Sequence, residues 1–154
     1  MKIVFVCTAN IVRSFAAEQM LKKAVKENNR NDIEVSSAAI FDMGEESADP
    51  MAVKILKEMG FEADSHFSKL LTEDIAAEAD IIIVMEQYHK DFIIENYPDT
   101  QEKVFLLKHF SKGASHLYTA GMEEIRDPHN LSSYHYRLCF AEIYLAIKGM
   151  LKCI

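Results

Sequence analysis

The sequence lacks the features that mark membrane, repeat and nucleic-acid-binding proteins. No apolar run approaches the length of about 20 residues that a membrane-spanning helix needs, so we expect no membrane partner. No fixed-period repeat and no low-complexity tract interrupts the 154 residues. Positive charge is also in deficit: the formal net charge is −7, which argues against nucleic acid as a partner. Any phosphate binding must therefore come from a focused local site.

Cysteine is scarce as well, with only Cys7, Cys139 and Cys153 in the chain. An odd number without metal-ligand spacing does not fit a secreted disulfide framework, so we expect a reducing, cytoplasmic environment. Cys139 and Cys153 lie among apolar residues of the predicted last helix, which predicts that both are core thiols. The six histidines show no metal-ligand spacing either, and we expect neither a metal nor another cofactor.

The composition that is present, 49% hydrophobic and 27% charged, is typical of a globular protein, and the length predicts a single domain over residues 1–154. The apolar run after Met1 is too short for a signal peptide, and we expect it to be a buried strand. Apolar and β-branched runs predict strands at residues 2–7, 33–39, 80–85 and 104–107. Helical periodicity and capping signals predict helices at about 14–27, 50–59, 73–79, 87–97 and 132–152.

Strands that alternate with helices predict a parallel sheet covered on both faces. Four such strands in this length indicate an α/β, flavodoxin-like, doubly wound fold. Ligands of such folds bind beyond the carboxyl ends of the strands. The segment from Cys7 to Ser14 lies at that place, between the first strand and the first helix.

This segment has the residue types and the spacing of a phosphate-binding loop. Arg13 can offer a bidentate fork to two phosphate oxygens, and the N-terminus of the following helix adds partial positive charge. The same positive field stabilises a thiolate at Cys7, which then faces a cradled phosphate in position for in-line attack. A turn of five residues can wrap its backbone N–H groups around a tetrahedral oxyanion. These five residues are Thr8, Ala9, Asn10, Ile11 and Val12.

The run of residues 6–18 resembles the signature of low-molecular-weight protein tyrosine phosphatases. Further short motifs follow in that family's order and spacing along nearly the whole chain, among them Ser37-Ala38-Ala39 and Arg126-Asp127-Pro128. The resemblance implies that Cys7 is the nucleophile and that Arg13 is the phosphate clamp, with residues 8–12 and Ser14 completing the phosphate loop.

The resemblance also implies roles for residues that support the loop. Ser14 would hydrogen-bond the sulfur of Cys7 and help it to leave, and Asn10 would hold the loop in a strained conformation. Ser37 and His66 resemble the family's partners of Asn10 and Ser14.

Cleavage of a phosphate ester needs a proton donor for the leaving oxygen. Asp127-Pro128 matches the family's acid loop, which implies that Asp127 is the general acid. Pro128 restricts Asp127 to extended or turn conformations, which suits a side chain that reaches into a site. The same resemblance implies substrate walls at Phe41 and Met43 on one side of the cleft and at His129 on the other.

Three other functions on related loops stay open. An arsenate reductase of this fold needs further cysteines near mid-chain, and residues 8–138 contain none. A protein arginine phosphatase of the same family typically carries Thr at the position of Ile11. A phosphocysteine carrier that does not hydrolyse would need neither Arg13 nor Asp127. We therefore expect hydrolysis of phosphotyrosine on a protein, for example a tyrosine kinase, with inorganic phosphate as the product.

Val12 departs from the family, which usually has a second cysteine there.

Overall fold

The computed structural model describes residues 1–114 and 123–154 and contains the predicted alternation of strands and helices. The strands are β1 (Lys2–Cys7), β2 (Glu34–Ala39), β3 (Ile81–Val84) and β4 (Val104–Leu106). The α-helices are α1 (Arg13–Glu27), α2 (Pro50–Glu58), α3 (Glu73–Glu78), α4 (Gln87–Asn96) and α5 (Ser133–Met150). Two 3₁₀ segments, Pro98–Lys103 and Leu107–Ala114, were not predicted, because short 3₁₀ turns lack the 3.6-residue periodicity used to predict helices.

The four strands form one parallel sheet in the order β2-β1-β3-β4, which confirms the predicted doubly wound α/β fold. Val4 in β1 lies beside Ser36 of β2 on one side and Ile82 of β3 on the other. The strand order therefore reverses between β1 and β3. The carboxyl ends of these two strands form the crevice in which such folds bind ligands.

Each face of the sheet packs against its own set of helices. Ile3 and Phe5 belong to the core beneath α1, α2 and α5, whereas Val4 and Val6 belong to the core beneath α3 and α4. This alternation follows from the two-residue period of a strand. Full burial of one large apolar side chain stabilises a fold by about 1.5–3 kcal/mol, so the buried residues of β1 fix the position of its last residue, Cys7.

Capping side chains set two of the helix starts that the sequence predicts. The carboxylate Oδ1 of Asp49 accepts hydrogen bonds from Met51 N and Ala52 N at 2.8 and 3.0 Å, at the start of α2. The hydroxyl of Thr72 accepts a hydrogen bond from Ile75 N at 3.3 Å, at the start of α3. Both side chains satisfy N–H groups that have no partner within the helix.

The prediction of two core thiols is half right. Cys139 lies in α5 and is buried, whereas Cys153 is exposed. The reason is that α5 ends at Met150, so Cys153 lies in the turn that follows and no longer shares the buried face of the helix. Across residues 1–114 and 123–154, no helix combines the length and apolar character needed to cross a membrane.

Candidate active site

The loop between β1 and α1 has its carbonyl groups held outward by donors from other parts of the chain. Five consecutive carbonyls, those of residues 7–11, each accept one such hydrogen bond at 2.6–3.2 Å. Three backbone N–H groups donate to this set: Ile40 N to the carbonyl of Cys7, Phe41 N to that of Thr8 and Asp49 N to that of Ile11. Two side chains complete it: Ser68 Oγ donates to the carbonyl of Ala9 and His66 Nε2 to that of Asn10. In a trans peptide the carbonyl of one residue and the N–H of the next point in opposite directions, and none of the described peptides is cis. The N–H groups of residues 8–12 therefore point to the centre of the loop and form a cradle for an anion.

Asn10 holds the curvature of this loop. Its φ of 57° lies in the left-handed region, which Asn tolerates better than most residues. The side chain is fully buried, and its Nδ2 donates to Ser37 Oγ at 2.7 Å and to Ser14 Oγ at 2.9 Å. Its Oδ1 accepts a hydrogen bond from Lys69 N at 3.0 Å. Ser37 in turn donates to Glu18 on α1, so the predicted Asn10–Ser37 pair extends one residue further.

His66 supports the same residue from the other side. Its Nε2 donates to the carbonyl oxygen of Asn10 at 2.6 Å. The ring of Phe15 stacks on the imidazole with the centroids 4.2 Å apart. Burial lowers the pKa of His66, so the ring is neutral at pH 7 and its one N–H proton is used on the loop.

Ser14 links this support to Cys7. The Ser14 Oγ lies 3.0 Å from the Cys7 Sγ, and both side chains are buried. Because Asn10 Nδ2 already donates to the Ser14 oxygen, the single hydroxyl proton of Ser14 is free to be donated to the sulfur. A proton directed at the sulfur stabilises its anionic form.

Arg13 is 1% exposed, and its guanidinium donates hydrogen bonds to four groups. Nη1 donates to Glu86 Oε2 and, at 3.0 Å, to the carbonyl oxygen of Ile125. Nη2 donates to Asp127 Oδ2 at 3.0 Å and to Thr8 Oγ1 at 3.4 Å. Burial opposes the charge of Arg13, but Cys7, Asp127 and Glu86 outweigh it and raise the pKa of the guanidinium. The fork is therefore permanently charged.

The loop that carries Asp127 contacts the start of α2, where α5 contacts the same residue, Asp49. Asp127 Oδ1 accepts a hydrogen bond from His129 N at 3.1 Å, so the loop closes back on its own carboxylate. The imidazole Nδ1 of His129 lies 3.2 Å from Asp49 Oδ2, and Tyr136 donates its hydroxyl proton to the same oxygen at 3.0 Å. Burial and this contact with Asp49 raise the pKa of Tyr136 to about 12, so the hydroxyl stays a donor.

Exposed aromatic and apolar side chains follow β2 and β3 in the chain, at the carboxyl edge of the sheet. Phe41 is 50% exposed, and Met43 and Tyr88 are exposed to a similar degree. The ring of Phe41 meets that of Phe92 edge to face, with the centroids 5.9 Å apart. Ile11, in contrast, is only 6% exposed and packs into the core beneath α1.

Sequence reasoning missed two residues of α4 and its cap that contact the loop. Glu86 accepts a hydrogen bond from Arg13, and His89 Nε2 lies 3.0 Å from Thr8 Oγ1. The sequence held one signal for Glu86, which follows the predicted strand at 80–85, at the carboxyl edge where ligands bind. His89 had no such signal. Of the predicted site residues, five are joined by hydrogen bonds in one group, Cys7, Asn10, Ser14, Ser37 and His66. Arg13 and Asp127 form a second, separate pair.

Comparison with known proteins gives matches over the whole chain. A family model described as "Low molecular weight phosphotyrosine protein phosphatase" matches residues 2–154. A protein-arginine-phosphatase of Bacillus subtilis (strain 168) is 36% identical over 114 residues, which cover 74% of this chain and 75% of the relative. The probable low molecular weight protein-tyrosine-phosphatase AmsI of Erwinia amylovora is 32% identical over 130 residues, which cover 84% and 81%.

The fold has close counterparts among solved structures. The crystal structure of a low molecular weight protein tyrosine phosphatase from T. tengcongensis is similar with a TM-score of 0.88 and 28% identity, over 100% of this chain and 99% of that one. The likeness thus extends over nearly the full length of both chains. With the family model matching residues 2–154, the chain belongs to the low-molecular-weight phosphotyrosine protein phosphatase family.

Proposed function

We propose that this phosphatase hydrolyses phosphotyrosine in proteins through a phosphocysteine intermediate on Cys7. Arg13 and the N–H groups of residues 8–12 bind the phosphoryl oxygens, and Asp127 serves as the general acid. Ser14, Asn10 and the partners of Asn10 keep the loop and the thiolate in place. The observation that carries the proposal is the set of outward-held carbonyls around a buried, charged Arg13, with Cys7 at the base of the loop.

Two displacements at phosphorus complete the reaction. In the first, the Cys7 Sγ–P bond forms while the bond from phosphorus to the tyrosine oxygen breaks, and protonated Asp127 gives that oxygen its proton. In the second, Asp127 accepts a proton from water, the water oxygen bonds to phosphorus, and the S–P bond breaks. Inorganic phosphate and the Cys7 thiolate are released. The cradle and the fixed charge of Arg13 stabilise the phosphoryl oxygens in both transition states.

The aromatic rim favours an aryl phosphate as substrate. Phe41 N donates to the Thr8 carbonyl at 3.2 Å, and the Tyr88 hydroxyl contacts Thr8 Oγ1, so the backbone of Phe41 and the side chain of Tyr88 lie beside the loop. Exposed rings at the mouth of the cleft are suited to pack against the ring of phosphotyrosine. Position 11, where arginine-specific relatives are expected to carry Thr, holds Ile11, whose side chain is mostly buried and adds no hydroxyl to the loop.

Phosphoarginine is the second candidate substrate. The protein-arginine-phosphatases of Bacillus subtilis (strain 168) and Geobacillus stearothermophilus are 36% and 37% identical to this chain over about three quarters of it. If the specificity follows overall similarity, the chain acts on phosphoarginine. If it follows the side chain at position 11, the chain acts on phosphotyrosine, because Ile11 offers no hydroxyl to a guanidinium group.

Hydrolysis rates on matched peptides test this choice. We expect a higher kcat/KM on a phosphotyrosine peptide than on phosphoserine or phosphoarginine peptides of the same sequence. Ile11→Thr should shift the ratio towards phosphoarginine, and Cys7→Ser should abolish all three activities. A wild-type preference for phosphoarginine would overturn the proposed substrate. Full activity of Cys7→Ser would overturn the proposed mechanism.

We further propose that the enzyme works in the cytoplasm on a phosphotyrosine-bearing protein such as a tyrosine kinase. All three cysteines are free thiols, which fits a reducing compartment. Proteins of this family named protein-tyrosine-phosphatase, such as AmsI, support a phosphoprotein as the class of substrate. A catalytically dead Cys7→Ser variant should retain a phosphorylated kinase, and unphosphorylated kinase should not be retained.

A further inference from the structure

The first turn of α4 contacts both nitrogens of the Arg13 fork. Glu86, the N-cap of α4, binds Nη1 directly. His89, three residues later, reaches Nη2 through one intermediate group, the hydroxyl of Thr8. His89 is fully buried, and the catalytic steps proposed above give it no role.

The hydrogen-bond roles at His89 follow from its partners. Nδ1 accepts a hydrogen bond from Glu86 N at 3.1 Å, as part of a capping box at the start of α4. Burial and the charge of Arg13 lower the pKa of His89 to about 3, so the ring is neutral and its one proton is on Nε2. Nε2 therefore donates to Thr8 Oγ1, at 3.0 Å.

The roles at Thr8 follow in turn. A hydroxyl has one proton and two lone pairs. The donors His89 Nε2 and Arg13 Nη2 occupy both lone pairs, so the Thr8 proton goes to the hydroxyl of Tyr88. Without His89, the Thr8 hydroxyl would lose one of its three partners, and its orientation towards Arg13 would depend on Arg13 and Tyr88 alone.

We propose that His89 is a positioning residue: acting through the Thr8 hydroxyl, it holds Nη2 of Arg13 in the orientation in which the fork binds phosphate. The capping box of α4 thereby has two functions, since one ring nitrogen of His89 closes the helix and the other orients the loop. This inference rests on the proposed role of the loop and Arg13 in binding phosphate.

Two substitutions separate the two ring nitrogens. In His89→Asn the amide reaches about as far as Nδ1, so the cap can persist while the contact with Thr8 is lost. In His89→Gln the longer amide reaches the position of Nε2, so the donor to Thr8 can persist while the cap is weakened. We expect His89→Asn to weaken the binding of inorganic phosphate by about 10-fold, as for a lost hydrogen bond in a charged network. We expect His89→Gln to lower Tm with a smaller loss of phosphate affinity.

A double-variant cycle tests whether His89 acts through Thr8. Thr8→Val removes the hydroxyl and keeps the shape, and it should weaken phosphate binding about as much as His89→Asn. The double variant should lose no more than either single variant. The proposal would be overturned if the fold-loss of phosphate affinity in the double variant equalled the product of the two single losses. Unchanged phosphate affinity in His89→Asn would also overturn it. Thr72→Ala is the control: it removes the cap of α3 and should lower Tm without changing phosphate affinity.

Direct binding of inorganic phosphate by calorimetry, beside kcat and KM on an aryl phosphate, keeps the two proposals distinguishable. If Arg13→Ala retains wild-type phosphate affinity, the proposed role of the loop fails. If Arg13→Ala loses that affinity but His89→Asn retains it, only the role of His89 fails. A purely structural His89 would lower Tm in both of its variants and leave the KM of both variants unchanged.

Discussion

The hydroxyl oxygen of Ser14 lies 3.0 Å from the sulfur of Cys7 and accepts a hydrogen bond from Asn10 on its other side. The Ser14 proton is therefore directed at the sulfur, where it favours the thiolate. We predict that Ser14→Ala slows alkylation of Cys7 by iodoacetamide at pH 7, and lowers kcat, by about 10-fold. Ser36→Ala, on β2 beside Val4, is the control and should leave both rates unchanged. Equal alkylation rates in the two variants would contradict this prediction.

The contact between Asp127 and Arg13 places the proposed acid at the rim of the cradle. We predict that Asp127→Asn lowers kcat by about 10²–10⁴-fold on alkyl and poor aryl leaving groups, the usual contribution of a general acid. The loss should shrink on leaving groups that need no proton. Rates on a series of aryl phosphates measure this dependence. A loss that is the same for every leaving group would exclude Asp127 as the acid.

His89 should make the free energy of unfolding depend on pH below neutrality. Its pKa is about 3 in the folded state against 6.5 for the unperturbed group, so the unfolded chain binds more protons between these values. The free energy of unfolding should therefore fall as the pH falls below about 6.5, by about 2 kcal/mol from this group by pH 5. His66, whose pKa is also lowered by burial, should contribute in the same direction.

Urea unfolding between pH 7 and 5 measures this loss. His89→Asn should show a shallower decrease of the free energy of unfolding with falling pH than the wild type, because the variant has no proton to bind at this position. His135→Asn replaces an exposed histidine and should keep the wild-type pH dependence. The same slope in His89→Asn and in the wild type would show that His89 does not carry the effect.

Oxidation should affect Cys7 differently from the common pattern of the family, because Val12 occupies the place where a second cysteine is usual. Burial raises the pKa of Cys139, which keeps that thiol protonated and unreactive, and Cys153 lies in the turn after α5. We predict that peroxide converts Cys7 to a sulfenic acid, a sulfenamide or a sulfinic acid. Peptide mass spectrometry without reduction should find no dominant disulfide from Cys7 to Cys139 or Cys153.

A gain-of-function variant tests the same idea. Val12→Cys should allow dithiothreitol to restore more activity after peroxide treatment, because a neighbouring thiol can trap the sulfenic acid as a disulfide. Val12→Ala is the matched control, since it changes the side chain without adding sulfur. Equal recovery in the two variants would contradict the prediction.

Local sequence was sufficient to place Cys7, Asn10, Arg13 and Ser14 in one loop, because these residues lie within a run of eight between a strand and a helix that both have strong patterns. The roles expected of Asn10 and Ser14 came from the family resemblance. The helix starts at Asp49 and Thr72 could also be predicted from local sequence, since a cap acts on its own neighbours. Glu86 and His89 could not be predicted in this way. They are ordinary polar residues of a helix start, and their contacts with Arg13 and Thr8 depend on where α4 packs over the sheet.

Two further properties, the exposure of Cys153 and the burial of Ile11, depend on where α5 ends and on how the loop packs. The end of α5 at Met150 decides that Cys153 is exposed, and a helix end depends on the last turn's contacts more than on composition. Ile11 is a residue of the phosphate loop, and the sequence did not show that most of its side chain packs into the core. The direction of a loop side chain depends on the hydrogen bonds of its backbone to distant parts of the chain, here the bond from Asp49 N to the Ile11 carbonyl.

The outward-held carbonyls make the loop part of the cooperative folding unit. Their donors come from separate stretches of chain at 40–41, 49 and 66–68, so β1, the loop and α1 alone would not suffice to form the cradle. Local opening of 66–68 would release the carbonyls of Ala9 and Asn10 together, so amide hydrogen exchange in that stretch and in the loop should rise and fall together. Phosphate, by binding only the closed loop, should slow exchange in segments that it never touches.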